Sequence, residues 1–500
     1  MTKDSLERFR RAAKALKASY EVGAPDALAR IRINPPGRTA EDLKHADFLH
    51  VVARENQFTS WPMMKEAILR LGMDRAARQQ RLKIALWHGQ SQVVRDIIWE
   101  DPNVADGAFG LKCTLFDPEV LQDLEDDPSL ATKDFKGRTA LLYVCFSRAL
   151  DAFPERKPQM LAIAEALLAA GADVNDRFSA PGHEETPLSA LYGAIGHAGN
   201  LALGQWLLDN GADPNDGESL YHACEMGSPE GVRMLLAAGA NPNGTNALKR
   251  AMDFDNLEMV QMLLDAGADP NEGHEGWTAL HHAALRMSSE PVCRALINAG
   301  ADASLVGRGV TAYAAASVYG NAPLAQMMTP APLSKDEELL AQAVTGQVAD
   351  NVYVDPDKLP DLYLDLVREF AGLRKKRVHL AALIKIGMPW DRPDGAGVSP
   401  VQMAGWAGQP EMLDFFLRLK PNLGHVNNHG RMLLGTILHG AGNNPNRKEG
   451  DYVACLRLAL EEGVALPRSA INATGDSEIR TFLSQWAQDK PGQVVEHGIV

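Results

Sequence analysis

Apolar residues recur along the middle of the chain in a fixed frame. Leu-Leu or Leu-Ile stands at 167–168, 207–208, 235–236, 263–264 and 296–297, and the closes that follow read GADVN, GADPN, GANPN, GADPN and GADAS. Each pair fits the buried face at the end of a helix. Gly171, Gly211, Gly239, Gly267 and Gly300 then fall where a left-handed residue terminates that helix. Asp-Pro-Asn or Asp-Val-Asn turns the chain. A hydroxyl residue follows as a candidate cap for the next helix: Thr186, Ser219, Thr278, Thr311 and Ser399. The pattern predicts two antiparallel helices and a turn per unit. Such a unit cannot bury its apolar face alone, so the units must stack.

The frame is uneven. Gly267 and Gly300 are 33 residues apart, whereas Gly211, Gly239 and Gly267 follow one another at 28. The shortfall lies between the turn and the next helix. Only Gly244 and Thr245 separate Asn243 from Asn246, but six residues separate Asn271 from Thr278. In the ankyrin repeat, which these closes resemble, the missing residues form a projecting hairpin finger; the resemblance thus implies helices that stack normally beside a gapped finger row.

Weaker helix pairs flank this core. Residues 81–106 have helix–turn–helix periodicity without the Gly-Ala-Asp close, and 107–136 are partly helical but poorly repetitive. Helix pairs are expected again at 359–391, 397–419 and 430–466, with a capping helix at 471–486. Length over period predicts ten to twelve pairs in all. Two insertions, 148–159 and 440–450, fall between the helices of a unit and map to the edge opposite the fingers. The division expected is a helical N-terminal segment at 1–80, a repeat array at 81–332, a degenerate array with its cap at 333–490, and a disordered tail at 491–500.

The opening GWTALHHAA at Gly276–Ala284, with the five closes, resembles the ankyrin repeat. Ala53 to Pro62 resembles an A-R-E-x-x-F-x-S-W-P segment found ahead of ankyrin repeats in bacterial proteins. The resemblance implies an all-α ankyrin-repeat solenoid of stacked helix pairs with short or missing β-hairpin fingers, preceded by a small helical N-terminal segment. It implies a structural role for His281, bonding between neighbouring repeats, and the same for His222. It implies no defined activity: a non-enzymatic scaffold binds a protein partner along a concave repeat face.

Composition adds direction. No apolar run reaches 18 residues, so no membrane span is expected. Five widely spaced cysteines without a CxxC fit a reducing cytoplasm, with Cys224 and Cys293 as buried structural thiols. No GxSxG, HExxH or P-loop occurs, and neither a catalytic residue, a metal set nor a cofactor is expected. Residues 1–83 carry 17 Lys/Arg against 10 Asp/Glu, so the net charge of −14 leaves −21 on the rest. Arg30, Arg32, Arg38, Lys44 and Arg54 raise a nucleic-acid reading of the head. The intermingled acids, and Phe48, Phe58 and Trp61 as core, favour a basic cap docked on an acidic body. Residues 209–275 hold 13 acids and three bases, which points to a partner with a basic surface, with Tyr221, Asp253, Asp255, Glu258, His274 and Trp277 as candidate contacts. Solubilising acids, or the chain's own head covering the patch, are the alternatives. A second class, an enzyme or small-ligand sensor, would use the C-terminal units and a glycine-rich loop at 439–450 with His439, Asn443 and Asn444.

Overall fold

The computed structural model describes residues 2–35, 43–58, 60–61, 64–65, 68, 72–179, 186–346, 348–374, 376–474 and 476–495. Helix pairs stack as the frame demands. The first helices of the central units are Ser219–Ala223, Ala247–Asp253, Ala279–Arg286 and Ala312–Tyr319. The second are Glu230–Ala237, Leu257–Asp265, Glu290–Asn298 and Ala322–Met327. First helices pack on first and second on second, so one apolar core runs from Leu82 to Leu483. The head keeps a core of its own, built from residues such as Leu16, Phe48, Val52 and Trp61, with Phe58 packed against it. Thr59 and Pro62 of its Ala53–Pro62 stretch lie outside the described residues.

The array begins earlier than its period suggests, with the helix Arg75–Trp87 capped by Asp74. The stretch 107–136 is a unit after all: Phe109–Leu115 and Glu119–Asp126 form a helix pair, and the first of these packs on Ala140–Cys145. Of the tail expected to be disordered, Pro491–Gln493 form a helical turn and Val494–Val495 a strand, and 496–500 lie outside the described residues. Val494–Val495 pairs in parallel with Leu466–Pro467, and the Gln493 amide donates to the Leu460 and Val464 carbonyls. A polar side chain that caps exposed helix-end carbonyls leaves no periodic signal in the sequence.

The glycines behave as predicted. Gly171, Gly211, Gly239, Gly267 and Gly300 have φ between 88° and 98°. A Cβ on Gly267 would meet nothing within 4 Å, so only backbone strain opposes a side chain there. Gly267→Val should therefore cost about 1–2 kcal/mol. An unchanged thermal melt would show that glycine is not required at this turn.

Three of the five caps are where the pattern puts them. Thr278 and Ser399 form capping boxes with His281 and Gln402, and Thr311 accepts the Ala314 N–H. Two are corrected. Ser189, not Thr186, caps the helix Ala190–Tyr192, because Leu188–Ser189 is first drawn into an antiparallel pair with Arg177–Phe178. Ser219 lies inside its helix, and the Asp216 carboxylate accepts the N–H groups of Glu218 and Ser219. The second described finger is Val306–Gly307 with Val310–Thr311. In place of a hairpin, 271–278 contains a single tight turn at His274–Gly276.

The last residue of each close does more than turn the chain. The Asn175 amide donates to the Gly211 carbonyl at 3.2 Å and accepts the Asp213 N–H at 2.7 Å. Asn215 bridges to Gly239 and Asn241, Asn243 to Gly267 and Asp269, and Asn271 to Gly300 and Asp302 in the same way. The ladder stops at Ser304, whose hydroxyl turns back to its own Asp302. Asn243→Ala removes both bonds of one rung and should cost about 1–2 kcal/mol in urea unfolding, with Ser304→Ala near neutral. Equal effects would show that the rungs do not couple the repeats.

Candidate functional site

The exposed faces of the first helices carry a continuous row of charge. Glu225, Asp253 and Arg286 stand 14 residues before Gly239, Gly267 and Gly300, so the fold brings them to equivalent places in adjacent repeats. Arg250 joins the first two. Its Nε donates to Glu225 Oε1 at 2.8 Å and its Nη1 to Asp253 Oδ2 at 2.9 Å. The other Asp253 oxygen accepts Arg286 Nε at 2.7 Å and pairs with His282 Nε2 at 2.9 Å. The Arg250 guanidinium also lies 5.4 Å from the Tyr221 ring and 5.2 Å from the Phe254 ring.

Burial alone would raise the Asp253 pKa. The His282 hydrogen bond and the Arg286 and Arg250 charges overcome it and hold the carboxyl well below the usual carboxylate range. Burial likewise opposes ionisation of Glu225, but the His222 bond and Arg250 bring its pKa down. Burial outweighs the Asp253 bond at His282 and lowers its pKa, so the ring is neutral at pH 7 and donates Nε2–H to Asp253.

The row continues into a cleft of about 250 Å³ lined by Arg250, Asp253 and Arg286 on one side and Arg374, Trp406 and Glu449 on the other. Side chains almost 200 positions apart in sequence thus face one another across this cleft. Arg374 and Glu449 pair at 3.3 Å on its second side.

The candidate residues divide sharply. Asp253 is central but already bonded on both oxygens. Tyr221 is half-buried beside Arg250. Asp255 accepts the Ser289 N–H at 2.9 Å and ties one repeat to the next. Glu258 pairs with Arg233 at 2.9 Å, and His274 is exposed. Trp277 is corrected as an apolar anchor: it is 7% exposed, packed on His281 and beneath Arg308. His281 bonds Thr278 and, at 3.1 Å, the Val310 carbonyl of the next repeat. His222 does not cross repeats; it bonds Glu218 and Glu225 of its own unit.

Each of the 13 acids of 209–275 has a partner within the chain. The ones not yet named are held by Gln205 on Asp209, the Asn215 N–H on Asp213, Arg233 on Glu230, Gln261 on Asp265, the Asn271 N–H on Asp269, the Gly244 N–H on Glu272, and Arg308 on Glu275. The basic head meets a different surface: Lys44, His50 and Arg54 line a cavity with Val453, Glu478 and Phe482. Within the head, Arg30 makes a two-pronged pair with Glu55 at 2.7 Å on each oxygen.

The glycine-rich loop is also corrected. Residues 433–443 are helix, because Gly440 lets that helix close on the Trp406 carbonyl. The Asn443 amide donates to the His439 carbonyl at 2.9 Å, and the Asn444 amide to the Trp406 carbonyl at 3.2 Å. His439 lies 5.1 Å from the Trp406 ring, and burial, with Arg431 and His429 adding, pushes its pKa down to about 4. Asn444 and the His439 ring fasten this unit to the one carrying Trp406, and Asn443 bonds within its own helix. Arg250, His282 and Arg286 were missed by sequence reasoning; for Arg286 the signal was the 14-residue offset from the closing glycine that it shares with Glu225 and Asp253. Among the described residues no helix is long and apolar enough to cross a membrane, and no cluster of metal-ligating side chains occurs.

These geometries define a helical repeat solenoid with a charged inner face. Residues 191–274 match a model of three ankyrin repeat copies and 275–308 a model of the single ankyrin repeat, so the chain contains ankyrin repeats. It is similar to the crystal structure of the human ASB11 ankyrin repeat domain, at 22% identity and a TM-score of 0.34, over 47% of this chain and 96% of that one. It is similar also to the ankyrin repeat domain of Bcl-3, described as a unique member of the IkappaB protein family, at 23% identity and a TM-score of 0.33, over 42% of this chain and 92% of that one. No curated protein sequence matches. Ankyrin repeats are in general protein-interaction modules, typically without enzymatic activity.

Proposed function

We propose that the protein is a non-enzymatic scaffold in a reducing, cytoplasmic setting that binds a protein partner along the inner face of its first helices. The supporting observation is the row Glu225–Arg250–Asp253–Arg286, whose side chains are fixed by one another before any partner arrives and run into the cleft at Trp406. Side chains already ordered lose little freedom on binding, which favours recognition. The five cysteines are free and buried, compatible with that setting.

Pairing within 209–275 fixes geometry but does not cancel charge. The 13 acids and three bases leave a net −10, whose field steers a partner with a basic surface. Asp253 is unsuited to testing this, because it holds the row together. Glu230, Glu258 and Glu275 are exposed and can be neutralised without harm to the fold. The test takes the stoichiometric partner recovered from native lysate and measures its association with wild type, with Glu230→Gln/Glu258→Gln/Glu275→Gln and with Tyr221→Ala at rising salt. Association should slow several-fold with salt and with the triple variant, and Tyr221→Ala should speed dissociation. A partner indifferent to all three, or a retained small molecule in place of a protein, would overturn the reading.

A further inference from the structure

A second set of side chains, in the repeats ahead of 191, is built differently. The Arg138 guanidinium lies 3.9 Å from the Phe178 ring centre, 4.8 Å from Trp87 and 5.5 Å from Phe146. Trp87 and Phe146 stack with their planes 1° apart, and Phe178 meets Phe146 edge-on. The rings come from three units that bracket the pair Phe109–Leu115 and Glu119–Asp126: the end of the helix Arg75–Trp87, the residue closing Ala140–Cys145, and the finger strand Arg177–Phe178.

Rings stabilise a guanidinium through its flat faces and leave its in-plane N–H donors unused. The Arg138 guanidinium has no hydrogen bond and no carboxylate partner among the described residues, although the residue is half-buried. A second polar group beside it is also unmet. His197 packs 4.2 Å from Trp87 and 5.5 Å from Phe146, and its buried Nε2 has no hydrogen-bond partner among the described residues. His197 closes a π-helical turn, Gly193–His197, whose widened backbone presents its carbonyl to Arg148. π-Turns of this kind occur frequently at functional sites. Burial, with Arg148, Arg138 and His88 adding, pushes the His197 pKa down to about 3, so its ring is neutral and can donate or accept. Lys83 and Lys136 stand close enough to repel each other, and neither has an acidic partner among the described residues.

We propose that this aromatic-clamped Arg138 is a binding site for an acidic peptide segment of a partner protein, taking one carboxylate two-pronged on the guanidinium edge beside the His197 ring, with Lys83 and Lys136 drawing in flanking acids. Charge complementarity selects the occupant: among the described residues Arg138, Lys83 and Lys136 have no acidic partner, while 209–275 carries a surplus of acids. The site is distinct from the central row and needs the opposite charge.

The experiment uses the full chain and a fluorescein-labelled deca-glutamate peptide, followed by anisotropy at 0.05 M and 0.15 M salt. Arg138→Lys keeps the charge but loses the planar fork, and should weaken binding by about tenfold. Lys136→Gln removes one peripheral charge and should weaken it by no more than about threefold. Glu230→Gln/Glu258→Gln/Glu275→Gln should bind as well as wild type or better, so failure of the central-face reading leaves this result readable. Thermal melts accompany each variant, and Trp87→Phe serves if Arg138→Lys fails to fold: it keeps a ring but shrinks the clamp, and should also weaken binding. No binding by wild type would overturn the proposal, since the clamp would then be internal packing. So would equal losses in Arg138→Lys and Lys136→Gln, which would mark a diffuse basic field.

Discussion

Replacing Gly440 with alanine should destabilise the C-terminal repeats by about 3 kcal/mol or more. The added methyl would overlap the Trp406 carbonyl oxygen and lie 2.8 Å from its carbon. That carbonyl belongs to the helix Pro400–Trp406, so the obstacle is backbone and not a side chain that can swing away. It also accepts the Asn444 amide at 3.2 Å and the Tyr452 hydroxyl at 3.1 Å. Pushing the helices apart would break both bonds at once. Gly442, two residues on in the same helix, supplies the control: a Cβ there meets nothing within 4 Å. Gly442→Ala should be neutral or slightly stabilising, because alanine favours helix. Urea unfolding of the two variants gives the comparison, and equal midpoints would show that helix approach is not limited at Gly440.

Asp253→Ala should cost about 2–3 kcal/mol at pH 7. The loss strands the His282 ring and removes a counter-charge from Arg250 and Arg286. Arg250 keeps Glu225, and Arg286 is half-exposed, which holds the cost below that of a fully buried pair. The sign of its pH dependence follows from the depressed Asp253 pKa. The unfolded carboxyl protonates first as pH falls, so its contribution is full above its ordinary value near 3.8 and is lost as pH falls through the folded value. His282 acts in the same direction. Its folded pKa is lowered, so from its ordinary value near 6.5 downward the unfolded chain takes up the proton that the folded chain refuses. The His282 proton is refused in the variant too, so the gap between wild type and Asp253→Ala should hold down to about pH 3.8 and shrink below it, as the unfolded carboxyl protonates. A gap that stays constant there would show that the carboxylate's charge is not what stabilises the row.

What the sequence discloses here is whatever one unit decides locally. A helix-ending glycine, a Leu-Leu pair and a hydroxyl cap are each specified within a few residues, and the period multiplies the evidence. Thr278, Thr311 and Ser399 could be placed on that basis. Thr186 could not, because its register depends on a finger strand pairing across the turn. His439, Asn443 and Asn444 read as a loop for a similar reason: glycine favours turns in isolation, yet Gly440 is required by a neighbouring backbone. The acidic stretch misleads in another way. Composition counts charges but not their partners: Arg233, Arg250, Arg286 and Arg308 reach five of the 13 acids, and amide, histidine and backbone N–H groups hold the rest. Trp277 looked available because its link stands beside the shortened ones of the preceding units, but Arg308 and His281 close over it.

The asparagine ladder has a mechanical meaning. Repeats in such a stack are coupled only to their immediate neighbours, so resistance to opening varies along the axis with the bonds at each junction. Rungs at Asn175, Asn215, Asn243 and Asn271 fasten successive junctions by side-chain bonds additional to the apolar contact, and Ser304 fastens none. The junctions from Asn175 to Asn271 should therefore open together, while past Ser304 the fastening passes to unrelated side chains, such as Asn444 and Tyr452 on the Trp406 carbonyl.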